Sequence, residues 1–308
     1  MNNPIVFSTS TYRYLCDKLV QVSQWQKGHI KTKLFPDGES YHQIQTPIRN
    51  KDIILIGGTI DDINTLELYD LAHGIVQLGA RSLCIIIPYF GYATMERATQ
   101  PGEIVKARNR AILLSSIPNC SEANSIYLLD VHSEGIPFYF TPSLRCTHMY
   151  AKELIIQSAK EIAGSQFVLG STDSGRAKWV ESLASDMGVD SAFVYKKRLD
   201  SIHSKITGVN ADVQHKTVVI YDDMIRTGGS LINAALAYHN AGASRVVAIT
   251  THGLFSNNAL DKINNQGIIE QIICTDSHAH STQIQHPLLT IKSIDSILYH
   301  YLSAHYES

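Results

Sequence analysis

Short runs of β-branched and other apolar residues alternate with segments of helical period along almost the whole chain, and this alternation leaves few folds open. IVFST (5–9), DIILIGG (52–58), SLCIIIPYF (82–90) and SIYLLDV (125–131) read as strands of the first half. The middle ones are apolar enough to be buried on both faces. Between them, Ile63 to Leu78 places Leu68, Leu71, Ile75 and Leu78 on one helical stripe. The second half repeats the scheme with FVLGSTD (167–173), AFVYKK (192–197), TVVIYDD (217–223), RVVAITTHG (245–253) and IIEQIICTD (268–276). Helical spacing recurs at Ala151, Leu154, Ile155, Ala159 and Ile162, and again at Leu231, Ala234, Ala235 and Tyr238. Strands that alternate with helices are joined by crossovers, so the expected fold class is α/β with mostly parallel sheets.

At 308 residues the chain exceeds one ordinary core, and two domains of about 150 residues each are expected. The boundary is placed near 148, giving domains 1–148 and 149–308, with the final strand and helix (LLTIKSI, then SIDSILYHYLSAHY) free to pack on either half. Charged residues are 18% and the net charge is −2, which points to no nucleic-acid surface. No apolar run approaches the ~18 residues of a membrane span, and the N-terminus MNNPIVFST lacks the features of a signal peptide. Five scattered cysteines form no CxxC pair, so neither a disulfide framework nor a zinc site is expected, and a reducing cytoplasm fits best.

In parallel sheets ligands bind where strand ends turn into helices. VVIYDDMIRTGGS (218–230) belongs at such a place. The amides of Thr227, Gly228, Gly229 and Ser230 can converge on a phosphate at a helix N-terminus. Asp222 and Asp223, one loop away, can accept hydrogen bonds from vicinal hydroxyls and stand near a divalent cation. A sugar phosphate satisfies both demands; the alternative is a helix N-cap by Ser230 after an incidental acidic pair.

VVIYDDMIRTGGS is similar to the ribose-phosphate fingerprint shared by type I phosphoribosyltransferases and the 5-phosphoribosyl 1-pyrophosphate (PRPP) synthetases, or ribose-phosphate pyrophosphokinases. The tandem length favours the synthetases. Segments resembling theirs follow in order: KLFPDGES (33–40), IIIPYFGYATMERA (85–98), YLLDVHSEGIPFYF (127–140), VLGSTDSG (168–175), YKKR (195–198) and THGLF (251–255). TMER, FYF and THGLF look more like the class II enzymes of plants. The resemblance implies two tandem phosphoribosyltransferase-like domains and a Mg2+-dependent transfer of pyrophosphate from ATP to the anomeric hydroxyl of ribose 5-phosphate.

By position, the resemblance assigns the ribose hydroxyls and metal to Asp222 and Asp223, and the 5-phosphate to Thr227 through Ser230. Lys196 and Arg198 match the cationic pair of the catalytic loop. His132 and Asp173 match metal-contacting positions, one from each half, which would bring metal and both substrates to the domain cleft. Phe35, Asp37 and Glu39 match an adenine-binding hairpin that serves a neighbouring subunit, which implies a homo-oligomer. Read alone, Pro-Asp-Gly is a turn between strands, and the remaining histidines, including HAH at 278–280, read as loop residues.

Departures from the family pattern leave the acceptor open. Thr94 and Met95 stand where class I enzymes carry an Arg-Gln pair, leaving Arg97 to supply the ATP phosphate contact. Arg226 adds a cation beside the phosphate loop, so a 5-substituted ribose such as ADP-ribose is the alternative acceptor. A PRPP-consuming transferase would leave FPDGES without a role. A silent regulatory subunit would ordinarily have lost residues that remain here. The absence of GxxxxGK[ST] and of GxGxxG removes P-loop kinases and dinucleotide-dependent dehydrogenases.

Overall fold

The apolar stretches of the first half become the centre of a parallel sheet. In this computed structural model, which describes residues 3–198 and 204–306, the strands are β1 (Ile5–Ser8), β2 (Gln26–Lys27), β5 (Asp52–Ile56), β6 (Ser82–Ile87), β7 (Asn124–Leu129) and β8 (Leu144–Met149), with β3 (Ile30–Leu34) and β4 (Ser40–Ile44) forming a separate antiparallel hairpin. The sheet order is β2-β1-β5-β6-β7-β8, and every pair is parallel. All residues of β5 and β7 are buried because helices cover both faces. Those helices include α1 (Arg13–Ser23), α2 (Asp62–Gln77) and α3 (Lys106–Ser115). Leu68, Leu71 and Ile75 enter the core, but α2 stops at Gln77 and the expected fourth stripe residue, Leu78, is exposed.

The chain divides into two units, Met1–Tyr150 with Asp295–Ser308, and Ala151–Ile294. The second unit contains α4 (Lys152–Ala163), β9 (Val168–Ser171), α5 (Ala177–Met187), β10 (Asp190–Ala192), β11 (Val194–Arg198), β12 (Ser204–Val209), β13 (Thr217–Ile225), α6 (Gly229–Asn240), β14 (Arg245–Gly253), α7 (Ala259–Asn264), β15 (Ile269–Thr275) and β16 (Leu289–Lys292). Its parallel sheet has the order β10-β9-β13-β14-β15-β16. From β9 the chain moves to β10 on one side and then to β13 on the other. The loops after β9 and β13 therefore diverge, and their strand ends form the switch point of this sheet.

The C-terminal strand and helix separate: β16 completes the second sheet, whereas α8 (Asp295–Tyr306) belongs to the first unit. There Trp25, 5% exposed, packs on Tyr299 and Tyr306 with ring centroids 5.7 and 5.9 Å away. The stretch 192–197 also departs from its expected single strand. The chain breaks after Ala192, and Val194–Arg198 leaves the parallel sheet to pair antiparallel with β12. Tyr-Lys-Lys-Arg is too polar to be covered on both faces, which a parallel sheet requires of its strands. Among the described residues no helix is long and apolar enough to cross a membrane.

Candidate active site

The register between β9 and β13 dictates what meets at the switch point. Tyr221 pairs with Ser171, so the next residues, Asp222 and Thr172, stand side by side where β9 gives way to its loop while β13 runs on to Ile225. Thr172 Oγ1 donates to Asp222 Oδ2 at 2.8 Å, and the Asp223 amide donates to Asp222 Oδ1 at 3.0 Å. Arg176 Nη2 lies 2.6 Å from Asp223 Oδ2, whose side chain is 2% exposed. Burial, followed by the adjacent Asp223 carboxylate, pushes the Asp222 carboxyl well above the usual carboxylate range. The loop 172–176 thus grips both aspartates, one through a hydroxyl and the other through a guanidinium.

Thr172 and Arg176 escaped the sequence reading. Their signal was the alignment of neighbouring parallel strand ends, which places GSTDSGR beside IYDDM. Asp173 lies in the same loop, half-buried, with Oδ1 accepting from the Gly175 amide at 3.0 Å.

At the other end of the fingerprint, Gly228 caps α6 in the left-handed region (φ +80°). The first helical bond runs from the Ile232 amide to the Gly228 carbonyl at 2.9 Å. The amides of Gly229, Ser230 and Leu231 therefore have no acceptor within the helix and sit at its positive dipole end. Thr227, Gly229 and Ser230 are exposed, as is Arg226. THGLF anchors this loop from beneath: the Leu254 and Phe255 amides donate to the Ile225 carbonyl at 3.0 and 3.1 Å, and the Ser256 amide donates to the Arg226 carbonyl at 2.8 Å. Gly253 is required there because a Cβ would stand 2.4 Å from the Phe255 ring. Below the site, the Tyr238 hydroxyl reaches the Ser171 and Ala192 carbonyls at 2.9 and 3.0 Å, tying α6 to the ends of β9 and β10.

Lys196 and Arg198 fall on β11, but their side chains lie outside the described residues. In the first unit, FPDGES forms the tip of the β3–β4 hairpin. The Phe35 amide donates to the Glu39 carbonyl at 2.8 Å, Asp37 Oδ1 accepts from the Glu39 amide at 3.1 Å, and Gly38 turns the chain at φ +95°. The Phe35 ring is 36% exposed, with Lys33 Nζ 4.4 Å from its centroid and the Tyr41 ring edge-on at 6.4 Å. Arg97 is 79% exposed beside Glu96, just past the turn that carries Thr94 and Met95. His132 is half-buried two residues beyond Asp130, whose amide donates to the Met149 carbonyl at 2.9 Å.

The other reactive groups are held silent. His278 lies in the loop after β15, as expected, but is buried there, and burial, with His252 and His280 adding to it, pushes its pKa down to about 3. Burial pushes the thiols of Cys16 and Cys120 up to about 11 and those of Cys84, Cys146 and Cys274 up to about 12, so none is a ready nucleophile.

Among the described residues no group of three or more His, Cys, Asp or Glu side chains can enclose a metal ion. Mg2+ does not need one, since it keeps several waters and is commonly held by one or two carboxylates together with substrate phosphates. Asp173 and Asp222 suit that mode. Thr250, the register neighbour of Asp222, adds a fully buried hydroxyl that finds no hydrogen-bond partner among the described residues.

This geometry can be set beside known proteins. The family model of the N-terminal domain of ribose phosphate pyrophosphokinase matches residues 4–117, and that of the phosphoribosyl synthetase-associated domain matches residues 182–300. The ribose-phosphate pyrophosphokinase of Fusobacterium nucleatum is 29% identical over 300 residues, covering 96% of this chain and 93% of that protein. The enzyme of Prochlorococcus marinus is 31% identical over 271 residues, 86% of this chain and 79% of that one. Ribose-phosphate pyrophosphokinase 1 of Spinacia oleracea is 30% identical over 300 residues, 95% and 87%. The crystal structure of phosphoribosylpyrophosphate synthetase from Mycobacterium smegmatis matches with a TM-score of 0.88 at 25% identity, covering 99% of each chain. The chain belongs to the ribose-phosphate pyrophosphokinase family.

Proposed function

We infer that the protein transfers the β,γ-pyrophosphoryl group of ATP to the anomeric hydroxyl of ribose 5-phosphate, giving PRPP and AMP. The observation that carries this reading is the pairing, on consecutive elements of one strand-loop-helix unit, of the Asp222–Asp223 carboxylates with the open amides at the start of α6. One end suits ribose hydroxyls and the other a 5-phosphate. The anomeric oxygen attacks the β-phosphorus, the bond from that phosphorus to the α,β-bridging oxygen breaks, and AMP departs with the bridging oxygen.

The transferring group carries its charge on non-bridging oxygens, so catalysis is positioning plus electrostatic stabilisation. Lys196 and Arg198 are assigned that stabilisation. Asp173 and Asp222 would hold Mg2+, with His132 a further contact by the family resemblance, and the ion would supply charge neutralisation on the pyrophosphoryl oxygens. Phe35 stacks on adenine, with Asp37 and Glu39 beside it and Arg97 on the phosphates. Because the hairpin projects an exposed aromatic, its service to a neighbouring subunit, and hence a homo-oligomer, is part of the proposal. A cytoplasmic setting with free thiols completes it.

The test incubates purified protein with ATP, Mg2+ and either ribose 5-phosphate or ADP-ribose, following AMP release and product mass. AMP together with pyrophosphorylated ribose 5-phosphate is expected. AMP with ADP-ribose alone would transfer the same chemistry to the alternative acceptor, and AMP with neither would overturn the reading.

A further inference from the structure

Two adjacent aspartates on one strand cannot be equivalent. Both lie within β13, which continues through Ile225, and their carboxyl groups are close enough to interact directly, yet their surroundings differ. Asp223 is buried and paired with Arg176 at 2.6 Å, whereas Asp222 is half-buried and held by Thr172 at 2.8 Å. Both partners come from the five-residue stretch 172–176, which also carries Asp173. Ser171 Oγ donates to the Asp173 carbonyl at 2.6 Å, and Asp173 Oδ1 accepts from Gly175, so the stretch is braced internally as well. The guanidinium is only 20% exposed, and the carboxylate it meets is nearly removed from solvent. Replacing one member of a pair so placed is costly, because the other keeps its charge in a site nearly removed from solvent.

We propose that Arg176 is a positioning residue of the sugar-phosphate site: by holding Asp223 it locks the loop after β9 to the end of β13, and so fixes Asp173 and Asp222 in the mutual register that ribose 5-phosphate requires. This rests on the function proposed above. Arg176 acts through Asp223 and not by touching the sugar phosphate. Its effect therefore falls on ribose 5-phosphate and is small for ATP, and it disappears once Asp223 no longer carries a charge to be held.

Isothermal titration of ribose 5-phosphate into wild type, Arg176→Lys, Arg176→Met, Asp223→Asn and the Arg176→Met/Asp223→Asn double variant tests this, with ATP turnover measured on each. Arg176→Met is expected to weaken ribose 5-phosphate binding at least tenfold while changing the KM for ATP less than threefold. Arg176→Lys, which keeps the charge but not the fork, is expected to fall between. The double variant should match Asp223→Asn within twofold. If Arg176→Met does not fold, as judged by circular dichroism, the double variant carries the test, because it removes both charges of the pair.

Multiplicative effects of the two single changes, or unchanged binding by Arg176→Met, would overturn the positioning role and leave the proposed function standing. Wild type that binds ribose 5-phosphate but releases no AMP would overturn the proposed function and leave the positioning role standing. Wild type that does not bind ribose 5-phosphate would overturn both.

Discussion

Gly228 lies against Ile263: at φ +80°, a Cβ on Gly228 would stand 3.0 Å from Ile263 Cδ1. Its neighbour Gly229 has no positive φ, and a Cβ there would meet nothing within 4 Å. The two glycines of one motif thus serve different ends. Gly228→Ala is expected to destabilise the fold by about 1–3 kcal/mol through strain and crowding. Gly229→Ala is expected to leave stability within about 0.5 kcal/mol but to weaken ribose 5-phosphate binding, because its Cβ intrudes where the phosphate approaches the amides. Urea unfolding and ligand titration on both variants read the contrast.

Asp222→Ala and Lys196→Ala are expected to remove turnover with the fold intact. For Lys196→Ala, loss of one positioned cation lowers kcat by about 10²–10³-fold. Near-native rates beside a native circular dichroism spectrum would show that the assigned role is wrong.

Phe35 tests the donor side. Its ring is 36% exposed on a two-stranded arm, so Phe35→Ala should cost under about 0.5 kcal/mol of stability. Loss of base stacking is worth ~1–3 kcal/mol, and the KM for ATP should rise accordingly while that for ribose 5-phosphate stays put. Steady-state kinetics with each substrate varied separates the two.

His278 predicts a pH dependence of stability. Its pKa drops from 6.5 to about 3 on folding, so between those values the unfolded chain binds the extra proton. Stability from the neutral imidazole is complete above pH 6.5 and declines as pH falls toward 3, by up to about 1.4 kcal/mol per unit. His278→Asn should flatten the slope of unfolding free energy between pH 6.5 and 4.

Much of this fold was legible because its signals are local. The β-branched runs at 52–58 and 217–223 and the stripe Leu231, Ala234, Ala235 and Tyr238 specify buried strands and a covering helix, and all four stripe residues are buried. What stayed hidden depends on partners far away in sequence. Arg176 is an ordinary arginine in a loop until the β9–β13 register sets it beside Asp223. His278 is the loop residue its sequence suggests, but nothing local in the sequence announces that it is buried. Likewise, α8 carries an amphipathic pattern that does not say which unit it covers; the aromatic contacts of Trp25 with Tyr299 and Tyr306 decide that.

The most direct test of the account follows two labels. With ATP carrying ³²P at the β position in one reaction and at the γ position in another, transfer of an intact pyrophosphoryl group predicts that both labels appear in the ribose 5-phosphate product and that AMP is left unlabelled. Transfer of the γ label alone with formation of ADP, or no label on ribose 5-phosphate, would contradict it.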